Sequence, residues 1–318
     1  MNERELLEAV GRLPKSIEPP RDLWPGIERR LGARRPRWAW VALAAAASVA
    51  ALLVARSVWG PAGVWEIARV SGVPRIGQTP LAGVGALRVG DSVETDDSSR
   101  AVIQVGSIGR VEVRPGSRLR LLGATATDHR LALDVGEIYA RVNAPPRLFF
   151  VETPAGVAID LGCAYTLRVD ASGNGFLHVT SGAVEFEWGG RRAIVPIGLR
   201  VEIRSGFGPG VPVVLDAPEA FRRALDSLEF GPQPGGGALP RVLALARRDD
   251  AISLWHLLAR TDGASRLAVY ERLTELVPLP AGIERDEVLR LDRGALDAYW
   301  NYLPHSVWLK GLKKKKGR

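Results

Sequence analysis

One cysteine and one methionine occur in a chain of 318 residues, and the four histidines stand singly. A lone Cys163 forms no internal disulfide, so no cystine framework supports the fold, whichever redox compartment it occupies. His129, His178, His256 and His305 show neither an i, i+4 pair nor the clustered Cys and His of a zinc site. Each reads as an ordinary surface or hydrogen-bonded histidine. The absence of a G-x-x-x-x-G-K-[ST] run argues against a P-loop. Cys163 and His178 share one region as a nucleophile and a base, but Cys163 lies among small residues in a strand-like run, where a small buried side chain explains it. Asp96-Asp97 and Asp249-Asp250 read as turn and helix-cap residues. No catalytic residue, cofactor or metal ligand is expected, and the chain is not expected to be an enzyme.

Net positive charge is confined to the two ends. The formal net charge is +8, but residues 1–37 carry nine Lys or Arg against six acids and residues 310–318 carry six bases and no acid, leaving −1 for everything between. A duplex-binding domain needs a basic face on a folded unit, and none is visible, so direct nucleic-acid binding is not expected. Lys313 to Lys316 read as a solvated tail, with weak attraction to anionic headgroups or an envelope polyanion as the alternative.

Charge is missing altogether from Trp38 to Ala55, eighteen residues reading WAWVALAAAASVAALLVA. As a helix this run rises roughly 27 Å, close to a bilayer's hydrocarbon thickness. Trp38, Trp40 and Trp59 suit the headgroup boundary, and Arg56 snorkels outward from the last turn. Arg29, Arg30, Arg34, Arg35 and Arg37 precede the run, against Arg56 and Arg69 after it, which predicts a cytoplasmic N-terminus. A buried soluble helix and a cleaved signal peptide are the competing readings.

Ahead of that run, Asn2 caps a predicted helix with Leu6, Leu7, Val10 and Leu13 on one face, ended by Pro14. Leu23, Trp24 and Ile27 mark a second amphipathic turn. An arm this short and polar builds no core of its own and is expected to order on a partner, with those seven residues as the contact. Residues 60–84 are Gly/Pro-punctuated and read as a linker. From about residue 85 the period changes to two: Ala101 to Val105, Arg110 to Val113, Arg118 to Leu121, Leu131 to Val135, Ile138 to Val142, Phe149 to Thr153, Thr166 to Val169, Phe176 to Val179, Val184 to Trp188 and Val201 to Arg204 alternate. Near Asp216, read as a cap, the pattern turns helical with Phe221, Leu225 and Leu228. Gly231-Pro-Gln-Pro-Gly-Gly-Gly237 reads as a linker, followed by helical stretches at 239–247, 251–260, 265–277 and 293–303.

Gly90-Asp-Ser-Val-Glu-Thr95, Ser99-Arg-Ala-Val-Ile-Gln-Val105 and Gly109-Arg-Val-Glu-Val-Arg-Pro-Gly-Ser117 resemble the FecR-type domain. Leu133-Asp-Val-Gly-Glu-Ile138, Phe150-Val-Glu-Thr-Pro154, Gly162-Cys-Ala-Tyr-Thr-Leu-Arg-Val169 and Val179-Thr-Ser-Gly-Ala-Val-Glu185 extend the likeness over residues 85–205. Cys163 stands where that family usually has Thr. The resemblance implies an extracytoplasmic β domain, one membrane crossing and a cytoplasmic segment that binds an extracytoplasmic-function sigma factor. Leu13 to Glu28 also look like membrane-proximal segments of anti-sigma proteins. The arm is shorter than that of the iron-transport members and lacks zinc ligands, so iron specificity is not implied.

The expected architecture is multidomain: a cytoplasmic arm at 1–37, a single transmembrane helix at 38–59, a linker at 60–84 and an all-β extracytoplasmic domain at 85–215. The β domain is expected as a short-strand sandwich, jelly roll or solenoid. A helix at 216–230, a linker at 231–238, a small all-α module at 239–309 and a basic tail at 310–318 complete it. The expected location is a bacterial cytoplasmic membrane with the C-terminal domains in the periplasm. The expected function is signal transduction to transcription, through a sigma factor inside and an unnamed envelope protein or polymer outside. The rival reading is a structural or envelope-polymer-binding protein with no sigma-factor role.

Overall fold

The computed structural model describes residues 63–231 and 237–304. The arm, the charge-free run, the centre of the Gly/Pro linker and the basic tail lie outside the described residues. Among the described residues, no helix is long and apolar enough to cross a membrane.

Eighteen strands come first among the described residues. They are β1 (Val64–Ser71), β2 (Arg75–Ile76), β3 (Thr79–Pro80), β4 (Val84–Arg88), β5 (Ser92–Glu94), β6 (Arg100–Val105), β7 (Gly109–Val113), β8 (Arg118–Ala124) and β9 (His129–Val142). Then follow β10 (Phe149–Thr153), β11 (Gly156–Asp160), β12 (Ala164–Val169), β13 (Gly175–Ser181), β14 (Ala183–Trp188), β15 (Arg191–Pro196), β16 (Leu199–Arg204), β17 (Gly208–Pro209) and β18 (Val213–Val214). A small helical part closes the described chain: α1 (Glu219–Phe230), α2 (Ala238–Leu245), a 3-10 turn (Arg248–Asp250), α3 (Ala251–Arg260), α4 (Gly263–Leu276), α5 (Arg285–Leu289) and α6 (Arg293–Trp300).

The strands form two sheets that share β9. The first runs β4-β1-β6-β7-β9-β12-β13-β16, antiparallel throughout, with β17 and β18 both on β16. The second runs β3-β2-β5-β8-β9-β10-β11-β14-β15, and only the β9–β10 pairing is parallel. Leu131 to Val135 and Ile138 to Val142, expected as separate strands, are one strand bent between the sheets. The bend sits at Gly136, whose φ is +104° and whose Cβ, if present, would lie 2.3 Å from Ser117 Cα. Beside it the Glu137 amide donates to Ser117 Oγ at 2.9 Å, so the bend keeps its backbone hydrogen bonding.

Alternation places one side-chain set between the sheets. Ile67, Ile103, Val111, Leu119, Leu133, Phe149, Tyr165, Leu177, Phe186 and Val201 are buried there, at roughly 1.5–3 kcal/mol for each large apolar side chain. Two expectations are corrected. Residues 64–84 are not a linker: Trp65 and Ile67 are buried in β1, which pairs with both β4 and β6, and the Gly and Pro residues serve tight turns. The β domain accordingly starts near residue 64. Asp216 does not cap α1; Pro218 holds that position without a side-chain bond, while Asp216 faces Arg247 at 3.7 Å.

The helices share one apolar core with the sheets. Phe221, Leu225 and Leu228 of α1 are buried at the helical spacing expected for them. At the second sheet's edge, α3 answers the open backbone of β15. His256 Nε2 accepts from the Ile194 amide at 3.0 Å, and Arg260 Nη2 donates to the carbonyls of Arg192 and Gly210 at 3.2 and 3.0 Å. A covered edge cannot template another strand.

Candidate functional site

Among the described residues, the groups able to do chemistry do not converge. Cys163 is buried and its Sγ donates to Asp160 Oδ2 at 2.5 Å. Burial pushes the Cys163 thiol well up and raises the Asp160 carboxyl to about 6, against bonds from Cys163 and the Gly162 amide that favour the ion. A thiol held protonated is a poor nucleophile. His178 lies on the outer face of β13, opposite Thr166 and Arg200, while Cys163 belongs to the core, so the fold separates the two. Burial and then Arg200 lower the His178 pKa.

The other described histidines have structural surroundings. His129 packs against the Trp65 ring at 5.8 Å. His256 is enclosed by Trp255 and Trp300, with ring centroids 5.1 and 5.9 Å away. Its Nδ1 lies 2.8 Å from the Ile252 carbonyl, which only accepts, so Nδ1 carries the proton and Nε2 is free to accept from Ile194. Burial lowers its pKa to about 3, fixing a neutral ring. Asp96 accepts from the Ser98 amide at 2.8 Å and Asp250 from the Arg247 amide at 2.9 Å, the turn and cap roles expected of both acid pairs. Among the described residues, no group of three or more His, Cys, Asp or Glu is placed to hold a metal ion.

A cleft of about 830 Å³ lies where β15 meets the helices. Ile194, Leu228, Trp255 and Leu296 supply apolar wall, and Arg191, Arg260, Asp262 and Asp297 the polar part. Glu229, 7% exposed, organises it: Arg191 Nη2 donates to Glu229 Oε2 at 2.5 Å, and Arg260 Nη1 donates to the same oxygen. Burial draws the Arg260 pKa down and Glu229 opposes that shift, keeping the guanidinium charged. This is a mixed-polarity cleft suited to holding a ligand or peptide. Thr261 and Ser265 also line it, but the Thr261 hydroxyl donates to the Leu257 carbonyl and, among the described residues, no hydrogen bond joins either hydroxyl to His256.

None of the residues expected to contact partners or lipid is among those the structure describes: Leu6, Leu7, Val10, Leu13, Leu23, Trp24, Ile27, Trp38, Trp40, Arg56 and Trp59 all lie outside them. The cleft was missed in the sequence. Arg191, Glu229 and Arg260 come from three separate elements, and nothing near Glu229 signals that its carboxylate is buried.

The described fold defines a class, a two-sheet β stack with a helical part covering one edge. Residues 91–185 match the family model described as FecR protein, and the chain carries a FecR-type segment there. That segment runs from the turn before β5 into β14 and includes the bent strand β9. No curated protein matches the chain. Two crystal structures of a candidate anti-sigma factor from Parabacteroides distasonis are similar at 16% identity and a TM-score of 0.35. The alignments cover 42% of this chain and 63% and 62% of those, so this chain spans less than two thirds of their length. The functional reading rests on the family match and not on that distant likeness.

Proposed function

We propose that the chain is a single-pass membrane protein that regulates an extracytoplasmic-function sigma factor through its N-terminal arm. The carrying observation is the FecR match over residues 91–185, on a β domain whose buried Cys163 and Asp160 bond to each other. Two sequence features support the topology: the charge-free run from Trp38 to Ala55, and the cluster of five arginines from Arg29 to Arg37 ahead of it. In this reading the arm presents Leu6, Leu7, Val10, Leu13, Leu23, Trp24 and Ile27 to the sigma factor in the cytoplasm. The β stack and its helices stand outside and receive an envelope signal, and the protein acts by binding and not by catalysis.

Co-purification of the full chain with its sigma factor tests the arm. Trp24→Ala and Leu7→Ala are expected to lower the recovered sigma factor at least tenfold, because truncating a buried anchor at a small interface removes about 2 kcal/mol or more. Undiminished recovery with both variants refutes the assignment. Protease protection on sealed membranes, with tags at each terminus, tests the sidedness separately.

A further inference from the structure

The outer face of the first sheet carries an arrangement that costs stability and that neither the fold nor the arm requires. Arg110 of β7 and Arg141 of β9 are direct cross-strand partners, like charges set opposite each other. Arg110 has Glu112 at 3.8 Å, while Arg141 hydrogen-bonds the Tyr139 hydroxyl at 3.4 Å and feels the Glu112 charge without an ion pair of its own. Arg168, on the neighbouring strand β12, is exposed; it stands opposite Glu137, which Arg114 already engages, and makes no ion pair of its own among the described residues. Between these guanidinium groups runs a row perpendicular to the strands, Glu112, Tyr139, Thr166, His178 and Arg200, each directly opposite the next. Most of the row bears hydroxyl, imidazole or guanidinium groups, and Phe176 is covered by Arg200 at 3.8 Å from its centroid. The surface is polar, with Arg110, Arg114, Arg141, Arg168 and Arg200 set against Glu112, Glu137 and Glu202, so arginine is in excess there.

We infer that this face binds an anionic, carboxylated glycan, laid across the strands with its carboxylates on Arg141 and Arg168 and its hydroxyls along the Tyr139, Thr166 and His178 row. Adjacent strands lie about 4.8 Å apart. The advance of a glycan chain per hexose is close to that spacing, so successive rings meet successive strands. A carboxylate between Arg110 and Arg141 removes their repulsion, which gives the like-charge pair a purpose. An extended acidic peptide satisfies its backbone by adding to a sheet edge, not by lying across a face whose strands are already paired. The inference deepens the reading that the β stack faces the envelope and names the chemistry of what it meets there.

The test is calorimetric titration of the full-length chain, held in detergent, with polygalacturonate, neutral dextran and polyglutamate. Polygalacturonate is expected to bind at least tenfold tighter than either of the others, with affinity falling as salt is raised. Arg141→Gln with Arg168→Gln is expected to weaken it about tenfold, the sum of two exposed charge contacts. Arg120→Gln, on the other sheet and paired with Asp134 at 3.1 Å, is expected to leave it unchanged. In the free protein, Arg141→Gln is expected to unfold at the wild-type temperature or above, because it relieves the opposed charges. Equal binding of polyglutamate, unchanged affinity in the double variant, or a less stable Arg141→Gln chain would each overturn the inference. Glycan binding by a chain whose C-terminus proves cytoplasmic would sink the topology and leave the binding face standing.

Discussion

His256 and Asp160 are buried groups whose protonation is shifted in opposite directions, and this predicts a pH profile that variants can take apart. The neutral His256 ring has a folded pKa of about 3 against 6.5 in the open chain. Below pH 6.5 the unfolded chain takes up a proton that the folded chain refuses, so this group removes stability as pH falls from 6.5 towards 3. The loss is about 1.4 kcal/mol per unit, or about 2.7 kcal/mol by pH 4.5. Asp160 runs the other way. Its folded pKa of about 6 lies above the ordinary 3.8, so ionisation in the core costs about 3 kcal/mol at neutral pH, and that cost is relieved as pH falls from 6 to 3.8. Between pH 6 and 4 the two contributions nearly cancel in the wild-type protein. His256→Gln keeps an acceptor for the Ile194 amide and removes the titration; relative to wild type it is expected to gain about 2.7 kcal/mol on going from pH 7 to 4.5. Asp160→Asn, relative to wild type, is expected to lose about 3 kcal/mol over pH 7 to 4. Urea unfolding of the full-length chains, followed by tryptophan fluorescence, gives both differences, and Trp255 stands beside His256 as a local reporter. Variant and wild-type curves running parallel from pH 7 to 4 would refute the buried neutral imidazole and the buried carboxyl alike.

Gly136→Ala places a Cβ on Ser117 at a φ that L-residues avoid, and is expected to destabilise by about 3 kcal/mol or more, read as a lowered urea midpoint. Glu229→Gln strips the charge from an oxygen shared by two guanidinium groups, and is expected to cost about 3–5 kcal/mol and to loosen the helices from β15, visible as faster amide exchange at Ile194. Tyr299→Phe leaves the Val277 carbonyl without the hydroxyl that reaches it at 2.5 Å, and is expected to cost about 1 kcal/mol in the same unfolding assay.

Much of the β domain was legible because alternation is a local signal. The runs in β6, β7, β10, β13 and β16 each show their buried set two residues apart, as do Leu119 and Leu121 of β8 and Tyr165, Leu167 and Val169 of β12, while β14 alternates in residue type from Val184 to Trp188 although Glu185 is buried as well. β11 and β15 were missed for a physical reason. Gly156–Asp160 is nearly continuous in its burial and Arg191–Pro196 begins with two arginines, so neither displays a clean period of two. β1 was missed because Gly72, Pro74, Gly77 and Pro80, which suit tight turns, resemble a linker when pairing partners are unknown. The short helix α5, five residues long, gave too few turns for a period to register.

Composition and periodicity by themselves determined that the chain is β-rich after about residue 85, turns helical after about 216, and is charge-free for eighteen residues near its start. Only the tertiary structure decided that β9 belongs to two sheets, that β15 is closed by His256 and Arg260, and that Arg110 faces Arg141. The difference lies in range. Side-chain period is set by the backbone geometry of neighbouring residues, whereas strand order and the partners of Glu229 depend on contacts between segments tens of residues apart, formed only when the core closes around them.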